Sequence, residues 1–258
     1  MNQLTIFLMF VLVSCASNTK NAQKTNQDHL IASTLWFQSA AEVKALSYQA
    51  FNIAKMQLDL DLRKKSNKKR AVVVDVDETI VDNSPYQARN ILENKTYNSD
   101  SWGKWVSKAK ATAIPGSIEF LQYANNKGVE VFYITNRKVR GFDATYKNLV
   151  DLGFPVKKEN MFLRNKDRSK KVRRSKVLKD HKIVLLMGDN LGDFSEVFEG
   201  ISTSDRDKAV ENSRFEFGKR FIVLPNPMYG DWEGALYDYD FKKSLVEKEK
   251  IRKSLLKQ

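Results

Sequence analysis

Cysteine occurs once in the 258 residues, at Cys15, so no intramolecular disulfide and no cysteine-built metal site can form. Histidine occurs twice, at His29 and His181, and neither has a partner at ligand spacing, which argues against a histidine-centred mechanism. No zinc-finger, RNA-recognition or basic-zipper pattern accompanies the basic charge, so dedicated nucleic-acid binding is not expected. No apolar run is long enough to span a bilayer; the longest, Leu4–Val13, is interrupted only by Thr5. Acidic residues are in deficit. Lys and Arg total 44 against 31 Asp and Glu, a net charge of +13, which favours anionic partners such as phosphates. A hydrophobic content of 42% is enough for one large domain, or a domain with a cap.

Neither Gly nor Pro interrupts 29–62, where Ile31, Leu35, Ala41, Val43, Leu46, Ala50, Ile53, Ala54 and Leu58 recur at roughly three- and four-residue steps. That spacing predicts one long amphipathic helix, packed on the domain or on a second subunit. Arg63–Arg70 reads as a basic, solvated loop.

The chain is organised around Ala71–Asn83, AVVVDVDETIVDN. Short β-branched runs of this kind are strands buried on both faces. Further strands are expected at Val129–Ile134, Ile183–Met187 and Phe221–Leu224, with helices between, including 117–127 and 139–152. This alternation predicts an α/β fold, a parallel sheet with helices on both faces. Residues 84–112 carry Tyr97, Trp102 and Trp105 but no strong strand signal, and read as an inserted, mainly helical cap. The segment 154–162 reads as a connection, and the tail from Phe241 as a charged helix.

Open α/β sheets place their chemistry at the carboxyl ends of the strands. There the first strand offers Asp75 and Asp77, the second Thr135, and the third Asp189 and Asp193, with Lys170 or a neighbour between the last two. In that order they suit phosphoryl transfer. A carboxylate, Asp75, can attack phosphorus. Asp77, past the strand end, can protonate the leaving oxygen and then activate water. Thr135 can donate to the phosphoryl group, and Lys170 can neutralise it. Magnesium takes one or two carboxylates plus phosphate oxygens, which Asp75 and Asp189 can supply, with Asp193 orienting metal-bound water. A nucleobase needs flat surfaces to stack on, and Tyr86, Trp102 and Tyr229 are the candidates, with Asn136 as a further substrate contact.

These motifs resemble those of the haloacid dehalogenase (HAD) superfamily, and within it the class C, or lipoprotein, acid phosphatases. The resemblance rests on VVDVDETIVDNSPY at 73–86, VLLMGDNLGDF at 184–194 and LPNPMYGDWE at 224–233. It implies a HAD-like, Rossmannoid domain over 28–258 and a magnesium-dependent phosphomonoesterase. The implied activity is that of an acid phosphatase, possibly a 5′-nucleotidase, acting on nucleoside 5′-monophosphates and nicotinamide mononucleotide. By the same resemblance Asp75 is the nucleophile and Asp77 the acid/base. Magnesium would bind the Asp75 carboxylate, the Asp77 backbone carbonyl and Asp189. Lys166, Lys170, Lys171 and Lys176 compete for the conserved-type lysine role, and Lys170 is favoured because it precedes Val172-Arg173. A homodimer is also implied. The alternative is a non-catalytic phosphate- or nucleotide-binding lipoprotein on the same fold.

Residues 1–14 read as a signal peptide ending in Leu12-Val13-Ser14-Cys15, which is similar to a bacterial lipobox, although no Lys or Arg precedes the apolar stretch. Cys15 would then carry a palmitate-type lipid anchor, and 15–27 would be a flexible tether. Ala16 points to the outer membrane of a bacterial envelope.

Overall fold

A computed structural model describes residues 27–258. A short 3-10 turn, Asp28–Leu30, leads into α1 (Ile31–Ser39) and α2 (Ala41–Leu62). Then follow β1 (Lys69–Val74), β2 (Val81–Asp82), α3 (Ser84–Leu92), α4 (Ser99–Val106), β3 (Thr112–Ala113), α5 (Ser117–Asn126) and β4 (Glu130–Lys138). The remainder is α6 (Phe142–Asp151), β5 (Met161–Arg164), α7 (Lys171–Asp180), β6 (His181–Gly188), α8 (Thr203–Asn212), β7 (Phe221–Val223), α9 (Asp231–Leu236) and α10 (Leu245–Ser254).

Five parallel strands form the sheet in the order β5-β4-β1-β6-β7. The chain leaves β1 for β4 and β5 on one side, then returns for β6 and β7 on the other. Strand order therefore reverses at β1, which makes the crevice at its carboxyl end the place for a ligand. Alternate residues of β1 face opposite sides of the sheet, and both sides are buried. Val72 and Val74 join a core with Tyr133, Leu185, Met187 and Phe51, whereas Ala71 and Val73 join Phe132, Ile134, Leu186, Phe194 and Phe198. That double burial is why β1 is uniformly apolar rather than alternating.

The expected helix over 29–62 is two helices. Ala40 adopts an extended conformation (φ −72°, ψ 128°) between α1 and α2. No glycine or proline marks the break. It arises because α1 packs against α3, while α2 packs against α5, where the Phe51 and Phe120 rings meet at 5.9 Å. Val43, Ser47, Ala50, Phe51, Ala54 and Leu58 form the buried stripe of α2, at helical spacing.

β2 and β3 pair antiparallel, Val81 with Ala113 and Asp82 with Thr112. This two-residue ladder brings together the two ends of the segment that holds α3 and α4. Sequence patterning missed it because two residues carry no periodicity. It also missed β5, whose buried Met161 and Leu163 lie at and just past the end of the segment that reads as a connection, and α8, which has almost no apolar stripe. α7 starts at Lys171, directly after Lys170. Among the described residues no helix is long and apolar enough to cross a membrane. Residues 1–26, which hold the expected signal peptide, Cys15 and most of the expected tether, lie outside the described residues.

Candidate active site

The carboxyl ends of β1, β4 and β6, the loop after β7 and the start of α7 send polar groups into one crevice. Asp75 follows β1 directly, and its backbone N–H donates to Met187 O of β6 at 2.9 Å. The Asp75 side chain is 7% exposed, and Lys170 Nζ donates to its Oδ1. Lys170, at the start of α7 and 4% exposed, also reaches Asp193 Oδ1 at 2.6 Å. Of the four competing lysines, Lys170 is thus the one that bridges two carboxylates of the site. Burial alone would lower its pKa, but Asp193 and Asp75 more than reverse that, and the amine stays charged.

Asp189 follows β6. Its Oδ1 accepts from Thr79 Oγ1 at 3.3 Å and its Oδ2 from Asn226 Nδ2, in the loop after β7, at 2.8 Å. Asp193 lies in the turn beyond, where its Oδ2 accepts from Asn190 N at 3.0 Å in a capping box. Gly188 makes this turn possible, because a Cβ there would overlap the Asp193 carboxylate.

Asp75, Asp189 and Asp193 offer carboxylate oxygens that all lie within 4.8 Å of one another. Three carboxylates share one ammonium, Lys170. Burial, with Asp193 and Asp77 adding to it and Lys170 opposing, pushes the Asp75 carboxyl up to about 7. Burial also pushes Asp189 well above the usual carboxylate range, with Asp193 and Asp75 adding to it. An all-oxygen set with surplus negative charge in a buried place suits a hard divalent cation such as magnesium. The donor set therefore fits a metal held by Asp75 and Asp189, with Asp193 beside them.

The Asp77 side chain takes no part in this cluster. Its Oδ1 accepts from Arg137 Nε at 2.9 Å, from Arg137 Nη2 at 2.8 Å and from Asn83 Nδ2 at 2.9 Å. Thr135 Oγ1, on β4, lies 3.4 Å from Asp77 Oδ2 and accepts from Arg137 N at 3.1 Å. Arg137 is itself buried, and its Nη1 donates to Thr145 Oγ1 of α6 at 3.1 Å. Asn83 Oδ1 takes Trp105 Nε1 at 2.8 Å, so this net reaches into α4. Glu78 sits between the two aspartates and the cap with φ 55°, a strained value for a non-glycine residue. Its Oε1 accepts from Asn83 N at 2.8 Å, and burial raises its pKa well above the usual range, Asp77 and Asp189 adding to it.

Sequence reasoning overlooked three of these groups. Arg137 was passed over as part of a Thr-Asn-Arg strand end. Arg173, which enters the sequence reading only as a neighbour of Lys170, and Arg174 are both buried. Arg173 donates to Thr135 O at 2.5 Å and to Arg168 O and Ser169 O at 3.1 Å, fastening the loop that carries Lys170 to β4. Arg174 donates to Gly192 O at 2.9 Å and Asp193 O at 3.2 Å, fastening the turn after β6. One signal was available: two adjacent arginines opening a helix beneath an acidic site have carbonyls of strand-end loops within reach.

Of the expected substrate contacts, Tyr86 and Trp102 come together edge to face at 5.1 Å. The Trp102 ring also faces Arg137, 5.9 Å from its guanidinium carbon, and Tyr97 joins it at 6.5 Å. Tyr86 is 6% exposed, so most of its ring fills the cap's own core. Asn136 is exposed, but its Oδ1 is held by Arg173 Nη2 at 2.7 Å. Tyr229, 36% exposed in the loop after β7, makes no ring contact with Tyr86 or Trp102 among the described residues.

Residues 8–232 match the family described as HAD superfamily, subfamily IIIB (Acid phosphatase). The chain belongs to this family. The class C acid phosphatase from Bacillus anthracis superposes with a TM-score of 0.88 at 49% identity, covering 91% of this chain and 99% of that one. A second structure of that enzyme, with tungstate bound, gives 0.88 at 50% identity over the same shares. Among curated proteins, acid phosphatase 1 of Solanum lycopersicum is 32% identical over 82 residues, 32% of each chain. Vegetative storage protein 1 of Arabidopsis thaliana is 23% identical over 216 residues, 81% of this chain and 70% of that one. The chain thus spans about a third of the tomato relative's length. As an acid phosphatase of the HAD superfamily, it is a phosphomonoesterase of small phosphate esters.

Proposed function

We propose that this acid phosphatase is magnesium-dependent and acts through an aspartyl-phosphate on Asp75, with nucleoside 5′-monophosphates and nicotinamide mononucleotide among its substrates. The observation that carries the reading is the division of labour between two aspartates on one strand end. Asp75 lies among buried carboxylates and Lys170, whereas Asp77 is turned away and clamped by Arg137 and Asn83.

Asp75 Oδ attacks phosphorus, and the bond to the ester oxygen breaks. Asp77, held by Arg137, gives its proton to that departing oxygen and then takes one from the water that cleaves the acyl phosphate. Lys170 opposes the burial that favours the protonated Asp75 carboxyl, a bound cation would add to that, and Lys170 offsets charge on the phosphoryl oxygens. A bound divalent cation would supply charge neutralisation between the phosphate and the carboxylates, with Asp75 and Asp189 as its side-chain ligands, the Asp77 carbonyl a third and Asp193 beside it. Trp102 offers the nucleobase a ring beside the acid/base, and Asn136 and Tyr229 line the approach from the strand-end loops. That the Bacillus anthracis relative has been seen with tungstate, a phosphate-shaped oxyanion, supports an oxyanion site in this family.

The same reading places the protein on a bacterial envelope, lipidated at Cys15 and sorted to the outer membrane. It also makes the exposed apolar residues of α1 and α2, among them Leu35, Tyr48 and Met56, the face of a homodimer.

Release of phosphate from nicotinamide mononucleotide and p-nitrophenyl phosphate at pH 5–6 tests the proposal, in a range set by the chemistry of a carboxylic acid. Activity that needs magnesium, vanishes with EDTA and vanishes in Asp75→Asn supports it. A wild type that binds phosphate but releases none from either ester returns the protein to the binding-protein reading, which the storage-protein relative illustrates.

A further inference from the structure

A second cavity, of about 290 Å³, opens between α4 and the chain from Arg137 to Ala144. Its walls include Ser99, Trp102, Lys104, Arg137, Lys138 and Arg140. Arg137 is the partition: its guanidinium clamps the Asp77 carboxylate on one side and lines this cavity on the other. With Asp77 as the acid/base of the reading above, the leaving oxygen would lie beside Asp77, and the cavity on the side to which the leaving group would extend. Trp102, on the same wall, has its ring centroid 5.9 Å from that guanidinium carbon.

The cavity's charge is unbalanced. Arg137 is matched by Asp77, and Arg140 lies 3.4 Å from Asp100. Lys138 Nζ donates to the neutral Ser99 Oγ at 2.7 Å, and among the described residues neither Lys138 nor Lys104 has an ion pair. The hollow is built rather than incidental. α4 is drawn onto the turn before α6, where a Cβ on Gly141 would come within 3.2 Å of Val106 Cγ1, and Arg140 Nη2 fastens the contact by donating to Ser99 O at 2.9 Å. Two lysines without an ion pair line one hollow, a charge that matches a phosphate monoester, which carries about 1.5 to 2 negative charges at neutral pH.

We propose that this cavity is a subsite for a second phosphate carried by the leaving group, making bisphosphorylated compounds a favoured substrate class. The inference rests on the phosphatase reading above. A monophosphate would leave Lys104 and Lys138 unused. A second phosphate on the leaving group would reach them past Arg137 and be held in place while Asp77 protonates the ester oxygen.

The test compares adenosine 3′,5′-bisphosphate with adenosine 5′-monophosphate, and glucose 1,6-bisphosphate with glucose 6-phosphate. At low salt at least one bisphosphate should show a kcat/KM about tenfold above its partner, the advantage shrinking as salt screens the exposed lysines. Lys104→Ala/Lys138→Ala should erase the advantage and leave p-nitrophenyl phosphate hydrolysis unchanged, and Lys104→Arg/Lys138→Arg should keep it. The same pairs titrated calorimetrically against Asp75→Asn read the subsite without turnover, and the tighter bisphosphate binding should vanish in the added double-alanine background. Equal turnover of mono- and bisphosphates by wild type, equal binding of them to Asp75→Asn, or a preference that survives the double-alanine change overturns the subsite. Absence of p-nitrophenyl phosphate hydrolysis in wild type overturns the phosphatase reading instead, while the calorimetry still decides the subsite.

Discussion

The two ends of the sheet treat buried charge in opposite ways. At the amino ends of the strands, Asp61 of α2 is shared by Arg70 Nε at 2.7 Å and by Lys182 Nζ. Burial would raise its pKa, but Lys182 and Arg70 hold it below the usual carboxylate range. Cations outnumber the carboxylate, and the cluster is complete. At the carboxyl ends, Asp75, Asp189 and Asp193 divide one lysine, and Asp75 and Asp189 are driven up by burial. The first arrangement stabilises the fold. The second leaves charge unsatisfied, which is the condition for receiving a cation and a phosphate.

Breaking the lysine bridge should have the largest effect. Lys170→Met leaves three carboxylates with no internal cation, so kcat is expected to fall about 10²- to 10³-fold. Thermal melts of that variant should gain more from added magnesium than wild type does, because the ion then becomes the site's sole counter-charge. A variant with wild-type kcat would mean that the bridge at this end is as structural as the one around Asp61.

Arg137→Ala should come next. Loosening the clamp on Asp77 is expected to cost about 10- to 100-fold in kcat for an alkyl phosphate, whose leaving oxygen needs the proton. The loss should be much smaller for p-nitrophenyl phosphate, whose leaving group departs readily without it. An equal loss on both esters would make Arg137 merely structural.

The pH response of the chelated protein separates the two ends thermodynamically. Between the ordinary carboxylate range and about 7, folded protein keeps a proton on Asp75 that the unfolded chain has released. The unfolded state then binds fewer protons, so stability falls as pH rises through that window. In EDTA the melting temperature should therefore be higher at pH 5 than at pH 7.5, and Asp75→Asn should flatten part of that slope. Asp61 acts in the opposite sense but only at lower pH, its contribution being lost as pH falls through its depressed pKa. A melting temperature that rises between pH 5 and 7.5 in EDTA would contradict the surplus of buried negative charge.

The smallest effect on activity is expected at the base. Asp61→Asn should cost about 1–3 kcal/mol of stability, the worth of hydrogen bonds to charged groups. Denaturant unfolding would read that loss, with kcat unchanged.

Much of the site was legible because strand ends are punctuated by composition. A run such as AVVV can only be a doubly buried strand, and the acidic groups that close it cannot enter the core, so Asp75 and Asp77 had to emerge at the carboxyl edge. The same reasoning located Thr135, Asp189 and Asp193. The edge strand β5 and the paired residues of β2 and β3 were illegible because short pieces leave no period to read. The break at Ala40 was illegible because both halves have good helical composition, and packing against α3 and α5 decided it.

The sequence by itself determined the strand order of events along the chain and the identity of the acidic and hydroxyl groups at the strand ends, since local hydrophobicity and turn chemistry act over a few residues. Only the tertiary structure decided which charges meet. Lys170 reaches Asp75 across 95 residues of chain, and Arg137 reaches Asp77 across 60. Whether a lysine or an arginine is solvated or clamped depends on which carboxylate the folded sheet brings beside it, and no local signal in the chain carries that distance.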